Sequence, residues 1–237
     1  MISIIYSTKT NKPDFINHLK SSSGIHKVEI IEIVNDGEMS LTKAYNKGLD
    51  EATNDIVVFC HDDIIFDTKN WGRRIESIFK KNPEYGIIGI AGTTDLIDGR
   101  WWTLKESMNG IVSHKHEGKK WTNYYSKDQG NDITDMVVLD GLFFAIDKTK
   151  IKHTFDEDFD GFHFYDLSFC FPNYLEGVKI GLTTKVRLTH LSIGQTNQQW
   201  EEHKVKFEDK YTDKLPVRLS NNKTFKEKFD FDIDSIG

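Results

Sequence analysis

Over residues 2–92 the sequence alternates short apolar runs with stretches of helical period. The runs ISIIYST (Ile2–Thr8), KVEIIEIVND (Lys27–Asp36), DIVVFC (Asp55–Cys60) and GIIGIAG (Gly86–Gly92) read as strands. Between them, PDFINHLKSSS places Pro13 in a first helical turn, where its missing N–H costs nothing. SLTKAYNKGLDEAT gathers Leu41, Ala44, Tyr45, Leu49 and Ala52 on one helical face, with Ser40 placed to cap it. WGRRIESIFKKNP does the same with Trp71, Ile75, Ile78 and Phe79. Strands alternating with helices predict an α/β fold with a mostly parallel sheet and right-handed crossovers. Ligands of such sheets bind beyond the carboxyl ends of the strands. Thr8, Asp36 and the trio His61-Asp62-Asp63 all fall at those ends.

The second half reads differently. SHKHEGKKWTNYYSKDQGND (Ser113–Asp132) is polar with little periodicity and is expected to be a long loop, of the kind that is functional or mobile. DMVVLDGLFFAID and KVRLTHLSIG read as further strands, and QQWEEHKVKFEDKYTDKL as a helix. The last dozen residues are expected to be weakly ordered. No internal repeat or linker interrupts the chain, which predicts one domain over residues 1–237.

Composition narrows the partners. A net charge of −6 argues against nucleic acid, which needs a basic stripe. No apolar run approaches the ~20 residues that cross a bilayer, so no transmembrane segment is expected. MISIIYSTKT lacks the basic start and long apolar stretch of a signal peptide. Cys60 and Cys170 make neither a disulfide framework nor a metal motif. A cytoplasmic protein is the expectation.

Several polar groups carry the chemistry. Adjacent residues of an extended strand point to opposite sides, so Asp62 and Asp63 divide their work unless the strand ends between them. One carboxylate then suits a hard cation and the other a sugar hydroxyl; a solvated strand end explains the trio equally well. His190, in VRLTHLSIG, lies at a strand end, where imidazole serves as a ligand or a simple hydrogen-bonding group. Asp166, amid the aromatics of GFHFYDLSFC, has the setting of a general base or of a helix cap. Asp140-Gly141 reads as a tight turn or a ligand-facing backbone. His114 and His116, in a Lys-rich stretch, are expected to be solvated. There is no phosphate-cradling P-loop and no dinucleotide fingerprint.

Taken in order, AYNKGLDEAT, VVFCHDD, IIGIAGTT…GRWW, LDGLFFAID, FDEDFDGFHFYDLSFC, LEGVKIG and LTHLSIG resemble the GT-A glycosyltransferases, in particular a bacterial family-two-like group, from Ile2 to Trp200. The resemblance implies a nucleotide-binding half (residues 1–95), an acceptor and catalytic half (96–200) and a helical tail (201–237). The tail helix, with Trp200, Val205 and Phe207 among charges, suits packing on the domain or pairing in a homo-oligomer, and its acidic residues count against a membrane. It implies transfer of a sugar from a nucleoside diphosphate sugar, UDP favoured, to a glycan, lipid-linked or protein acceptor, inverting and dependent on Mn²⁺ or Mg²⁺. By the same resemblance Asp36 meets the base, Thr8 the nucleoside and Asp62 the ribose. Asp63 and His190 hold the metal, Asp140 and Gly141 form the turn beside the sugars, and Asp166 is the base. Bacterial polysaccharide or glycan synthesis is the implied setting.

Four positions depart from the family pattern. His61 stands at the first acidic position of Asp-x-Asp, Tyr165 replaces the glutamate before the base, and Ser168 and Pro172 replace an aspartate and an arginine. Proline in a helix interior costs ~3 kcal/mol, so that helix is expected to start late or kink. The departures keep a catalytically silent nucleotide-sugar-binding module in view, and the strand-end carboxylates keep a third function, a nucleotidyltransferase.

Overall fold

The computed structural model describes residues 1–125 and 132–219. Part of the polar Ser113–Asp132 stretch and all of the last dozen residues therefore lie outside the described residues. In chain order the elements are β1 (Ile2–Thr8), α1 (Pro13–Ser23), β2 (Glu29–Val34), α2 (Leu41–Glu51), β3 (Ile56–Cys60), β4 (Ile64–Phe66), α3 (Trp71–Lys81), β5 (Tyr85–Gly89), β6 (Ala91–Thr93) and β7 (Asp95–Leu96). A 3₁₀ turn at Lys105–Ser107 leads to β8 (Met108–His116), β9 (Lys119–Tyr124), β10 (Thr134–Met136), β11 (Val138–Leu139) and β12 (Phe143–Asp147). The chain continues as α4 (Tyr165–Leu175), β13 (Lys179–Leu182), β14 (Leu188–His190), α5 (Gln198–Lys210) and β15 (Val217–Arg218).

The main sheet has the order β10-β13-β5-β12-β3-β1-β2. Its β2–β1–β3 half is parallel, as the strand–helix alternation requires, and so is the β5–β13 pair. Between these halves β12 runs antiparallel to both β3 and β5. Phe143, Phe144, Ala145 and Ile146 of β12 are fully buried, the signature of a strand covered on both faces. α2 begins where expected: the Ser40 hydroxyl accepts from the Lys43 amide at 3.3 Å.

A second sheet has the order β11-β6-β8-β14-β4, with β9 paired to β8. This sheet corrects three sequence expectations. GIIGIAG is not one strand: it breaks at Ile90, and β5 and β6 join different sheets. DMVVLDGLFFAID likewise divides into β10, β11 and β12. The polar stretch from Ser113 is a β8–β9 hairpin in its described part, turning at Glu117 and Gly118, both at positive φ. From Ser113 on its residues are mostly polar and none is fully buried, so little apolar period marks the strands.

Of the two alternatives set by Pro172, α4 does not take the late start: it begins at Tyr165 and continues through Pro172 to Leu175. The side chain of the neighbouring Asn173 donates to the carbonyls of Phe169 (2.8 Å) and His153 (2.9 Å). α5 packs on the body of the molecule. Phe207 is fully buried among Phe159, Phe164, Phe171 and Tyr211, while Val205 faces outward. The buried apolar residues form one continuous cluster. Among the described residues, no helix is long and apolar enough to cross a membrane.

Candidate active site

The site is built at the end of β3. The His61 amide donates to the Leu142 carbonyl at 3.1 Å, extending the β3–β12 pairing by one residue. The chain then leaves the main sheet and enters β4 of the second. Side chains two apart on extended backbone share a side, and here His61 and Asp63 do so. Asp62 instead pairs with the Lys12 ammonium at 2.7 Å. β14 runs antiparallel to β4 and sets His190 opposite Ile64. The Asp63 carbonyl accepts from the Leu191 amide at 2.8 Å, which locks the two segments together.

The result is a compact donor set. Asp63 Oδ1 lies 3.3 Å from His190 Nε2 and 3.8 Å from His61 Nδ1. One ligand atom from each of the three residues falls within 4.8 Å of the others. His190 is buried, and its Nε2 also lies 3.0 Å from the Ser192 hydroxyl. Burial acts to raise the Asp63 carboxyl, but hydrogen bonding from His190 and the charges of His190 and His61 outweigh it and hold the group well below the usual carboxylate range. Burial lowers His61, with Asp63 opposing, which favours the neutral imidazole that a metal needs. A carboxylate and two imidazoles fit a divalent transition ion such as Mn²⁺ better than Mg²⁺, which takes oxygen ligands.

His61 also links this set to α4. Its Nε2 lies 2.7 Å from the Tyr165 hydroxyl. The next residue is Asp166, in the first turn of α4, and its two oxygens accept from the Gly141 amide (3.0 Å) and the Leu167 amide (2.8 Å). Burial, followed by the nearby Asp140 charge, raises Asp166 to about 7 in spite of these bonds. Asp140 closes the β11–β12 turn by accepting from the Leu142 amide at 2.9 Å. Gly141 is required in that turn because a Cβ there would collide with the Tyr165 ring and hydroxyl.

These groups face a cavity of about 550 Å³. His61, Asp140, Gly141, Asp166 and His190 line it, together with an aromatic wall of Trp101, Trp102, Phe164 and Trp200. Four of the sequence-predicted residues, Asp140, Gly141, Asp166 and His190, therefore meet in one place, and Asp63 joins them through His190 and His61. Thr8, Asp36 and Asp62 do not line this cavity. Thr8 is buried with its hydroxyl donated to the Thr10 carbonyl at 3.0 Å, and Asp36 is exposed beyond β2.

The sequence reading missed four participants. His61 was read as a member of the strand-end trio and as a lost acid but not as a ligand, yet it completes the donor set. Tyr165 appeared only as a lost glutamate, yet it binds His61. His114 is not a solvated loop residue: it stacks on Trp121 and lines the cavity. Its place on β8 beside His190 depends on a strand pairing that no local pattern announces. Trp200 reaches the wall from α5 and packs against Trp102 and Phe164. Trp101 is buried and Trp102 half-exposed on that wall, while Tyr124 faces solvent.

A parallel half-sheet, a carboxylate–imidazole cluster at the end of its β3 strand and a buried carboxylate lining the same cavity fit the GT-A class of glycosyltransferase fold. The chain belongs to the glycosyltransferase-like family whose model matches residues 7–216. Among solved structures it is similar to GalNAc-T7 with UDP, GalNAc and Mn²⁺, with a TM-score of 0.54 and 10% identity over 88% of this chain and 47% of that one. Among characterised proteins it is similar to the streptomycin biosynthesis protein StrF of Streptomyces griseus, 27% identical over 122 residues. That match covers 49% of this chain and 39% of StrF.

Proposed function

We propose that the protein transfers a sugar from a nucleoside diphosphate sugar, with UDP favoured, to a hydroxyl of a glycan, lipid-linked or protein acceptor, with inversion at the anomeric carbon. The observation that carries this reading is the meeting of the Asp63–His61–His190 donor set and Asp166 around one cavity. UDP and Mn²⁺ in the GalNAc-T7 structure support the choice of nucleotide and ion. Asp63, His190 and His61 would hold the cation. Such an ion neutralises charge on a departing diphosphate and orients it.

The chain's own residues do the rest. Thr8 and Asp36, at the ends of the parallel strands, are assigned to the nucleoside and its base, and Asp62 to the ribose. Asp166 accepts the proton of the acceptor hydroxyl as its oxygen attacks the anomeric carbon. The bond from that carbon to the diphosphate oxygen breaks, and the diphosphate leaves with the electron pair. A base at about 7 is matched to this task near neutral pH. The aromatic wall excludes water and offers flat apolar surfaces to sugar rings.

The test pairs isothermal titration of UDP and Mn²⁺ with a donor-turnover assay on wild type and Asp63→Ala. Mn²⁺-dependent UDP binding and turnover in the wild type, both lost in Asp63→Ala, is the expected result. Binding without turnover of any donor supplied with acceptors would move the reading to a silent module. Release of pyrophosphate rather than a nucleoside diphosphate would move it to a nucleotidyltransferase.

A further inference from the structure

Lys12 is not used by this mechanism, yet it grips one of the carboxylates at the strand ends. β1 and β3 are neighbouring parallel strands, with Ile5 opposite Phe59, so the chain leaves both at the same edge of the main sheet. Beyond β1 the chain enters α1 at Lys12; beyond β3 it passes through Asp62. The Lys12 ammonium spans the gap between them. It lies 2.7 Å from Asp62 Oδ2 and also donates to the Asp62 carbonyl at 3.0 Å. A lone exposed ion pair holds little in place. Two bonds to one residue fix its side chain against its own backbone.

The backbone of Lys12 is itself anchored. Its amide donates to Glu32 Oε1 at 2.8 Å, and its carbonyl accepts from the Ile16 amide at 3.0 Å. Glu32 Oε1 also accepts from the Tyr6 hydroxyl at 2.7 Å, and Oε2 from the Asn11 side chain at 2.7 Å. Tyr6 is fully buried in β1. The ammonium thus stands on a support tied to β1, β2 and α1, which spares a ligand the cost of ordering it.

Asp62 keeps one oxygen for such a ligand. Oδ1 accepts no hydrogen bond among the described residues, and the side chain is 24% exposed, open to a molecule at the sheet edge. An ionised carboxylate only accepts, so its partner must bring a hydrogen, as a ribose hydroxyl does and a phosphate oxygen does not. The ammonium also offsets the negative charge that Asp62 would otherwise turn on a diphosphate bound beside Asp63.

We propose that Lys12 is a positioning residue: by pinning Oδ2 and the carbonyl of Asp62 it aims Oδ1 at a ribose hydroxyl of the nucleotide, and so sets a preference for ribose over deoxyribose. This rests on the sugar-transfer reading and deepens its assignment of Asp62.

The test uses the full chain with Mn²⁺ and titrates UDP, 2′-deoxy-UDP and 3′-deoxy-UDP. Wild type binds UDP about tenfold tighter than at least one of the deoxynucleotides. Lys12→Met keeps the apolar stem and removes the ammonium; its preference falls to that of Asp62→Ala. Lys12→Arg, which keeps a cation at the position, recovers part of it. Adding Lys12→Met to Asp62→Ala changes the preference no further. A Lys12→Met variant that weakens all three nucleotides by one factor, or none of them, overturns the proposal, because loosened packing or a contact to the diphosphate leaves the preference intact. A wild type that binds UDP without preferring it to either deoxynucleotide removes the role of Asp62 and this proposal with it, while sugar transfer stands. A wild type that binds no nucleotide overturns the sugar-transfer reading itself.

Discussion

The hydrogen bond between His61 and Tyr165 joins two of the positions at which this chain departs from its family pattern. Each substitution alone removes a carboxylate; together they install a neutral imidazole whose far nitrogen is fixed by a phenol. Ligand imidazoles are generally oriented through their second nitrogen, and losing that partner costs 10–100-fold in metal affinity, roughly. Tyr165→Phe is therefore expected to weaken Mn²⁺ binding by about that factor in isothermal titration, with the fold intact by circular dichroism. Asp166 gives a pH prediction. Its carboxyl must be ionised to accept a proton, and its folded value is about 7, against 3.8 for an ordinary aspartate. The rate profile of kcat/KM should rise by about tenfold per pH unit below 7 and level above it. The sign for stability is opposite. A folded value above the unfolded one means that the native state binds the extra proton, so this group's contribution weakens as pH rises from 3.8 through about 7. Asp166→Asn should abolish turnover yet unfold at higher denaturant than wild type at pH 8, with a smaller difference at pH 4.

Among the elements, α1, α2 and α3 lie where the local sequence puts them, as do β1, β2 and β3, whereas the strands of the second sheet do not. α2 owes its start to Ser40, whose hydroxyl meets the Lys43 amide, so Ser40→Ala should cost about 1 kcal/mol in a urea titration. α5 buries Trp200, His203 and Phe207, of which Phe207 is the most deeply enclosed. Phe207→Ala should cost about 3–5 kcal/mol, because the pocket formed by Phe159, Phe164, Phe171 and Tyr211 cannot close on a methyl group. If that variant retained wild-type stability, α5 would be a loosely held appendage and Trp200 could not serve as a fixed wall of the cavity. The β8–β9 hairpin shows why the strands were harder to read. It is rich in Lys, His and Asn, and its burial does not alternate: β9 is half-buried only at the adjacent Thr122 and Asn123. Little apolar contrast was left for a period of two to show.

At the scale of the molecule, the site exists because two sheets part company at one tripeptide. β3 ends in the main sheet, β4 begins in the second, and His190 arrives on β14 from more than a hundred residues downstream. A cation held across these segments would bind the folded chain and not the unfolded one. Mn²⁺ at a hundred times its dissociation constant should stabilise the protein by about 2.7 kcal/mol, read as a rise in melting temperature that EDTA reverses and Asp63→Ala lacks. The parallel half of the fold, the helices, the cap at Ser40 and the presence of chemistry at the strand ends were all written in short-range patterns: apolar period, helix-starting residues and polar groups at the ends of apolar runs. So were Asp63, His190, Asp140, Gly141 and Asp166, through motif order. The antiparallel insertion of β12, the second sheet, the pairing of Asp62 with Lys12 and the meeting of His61, Tyr165 and His114 with that set were not. Each depends on which strands hydrogen-bond across long separations. That choice is made by the total burial and hydrogen bonding of the whole chain, and no window of neighbouring residues carries it.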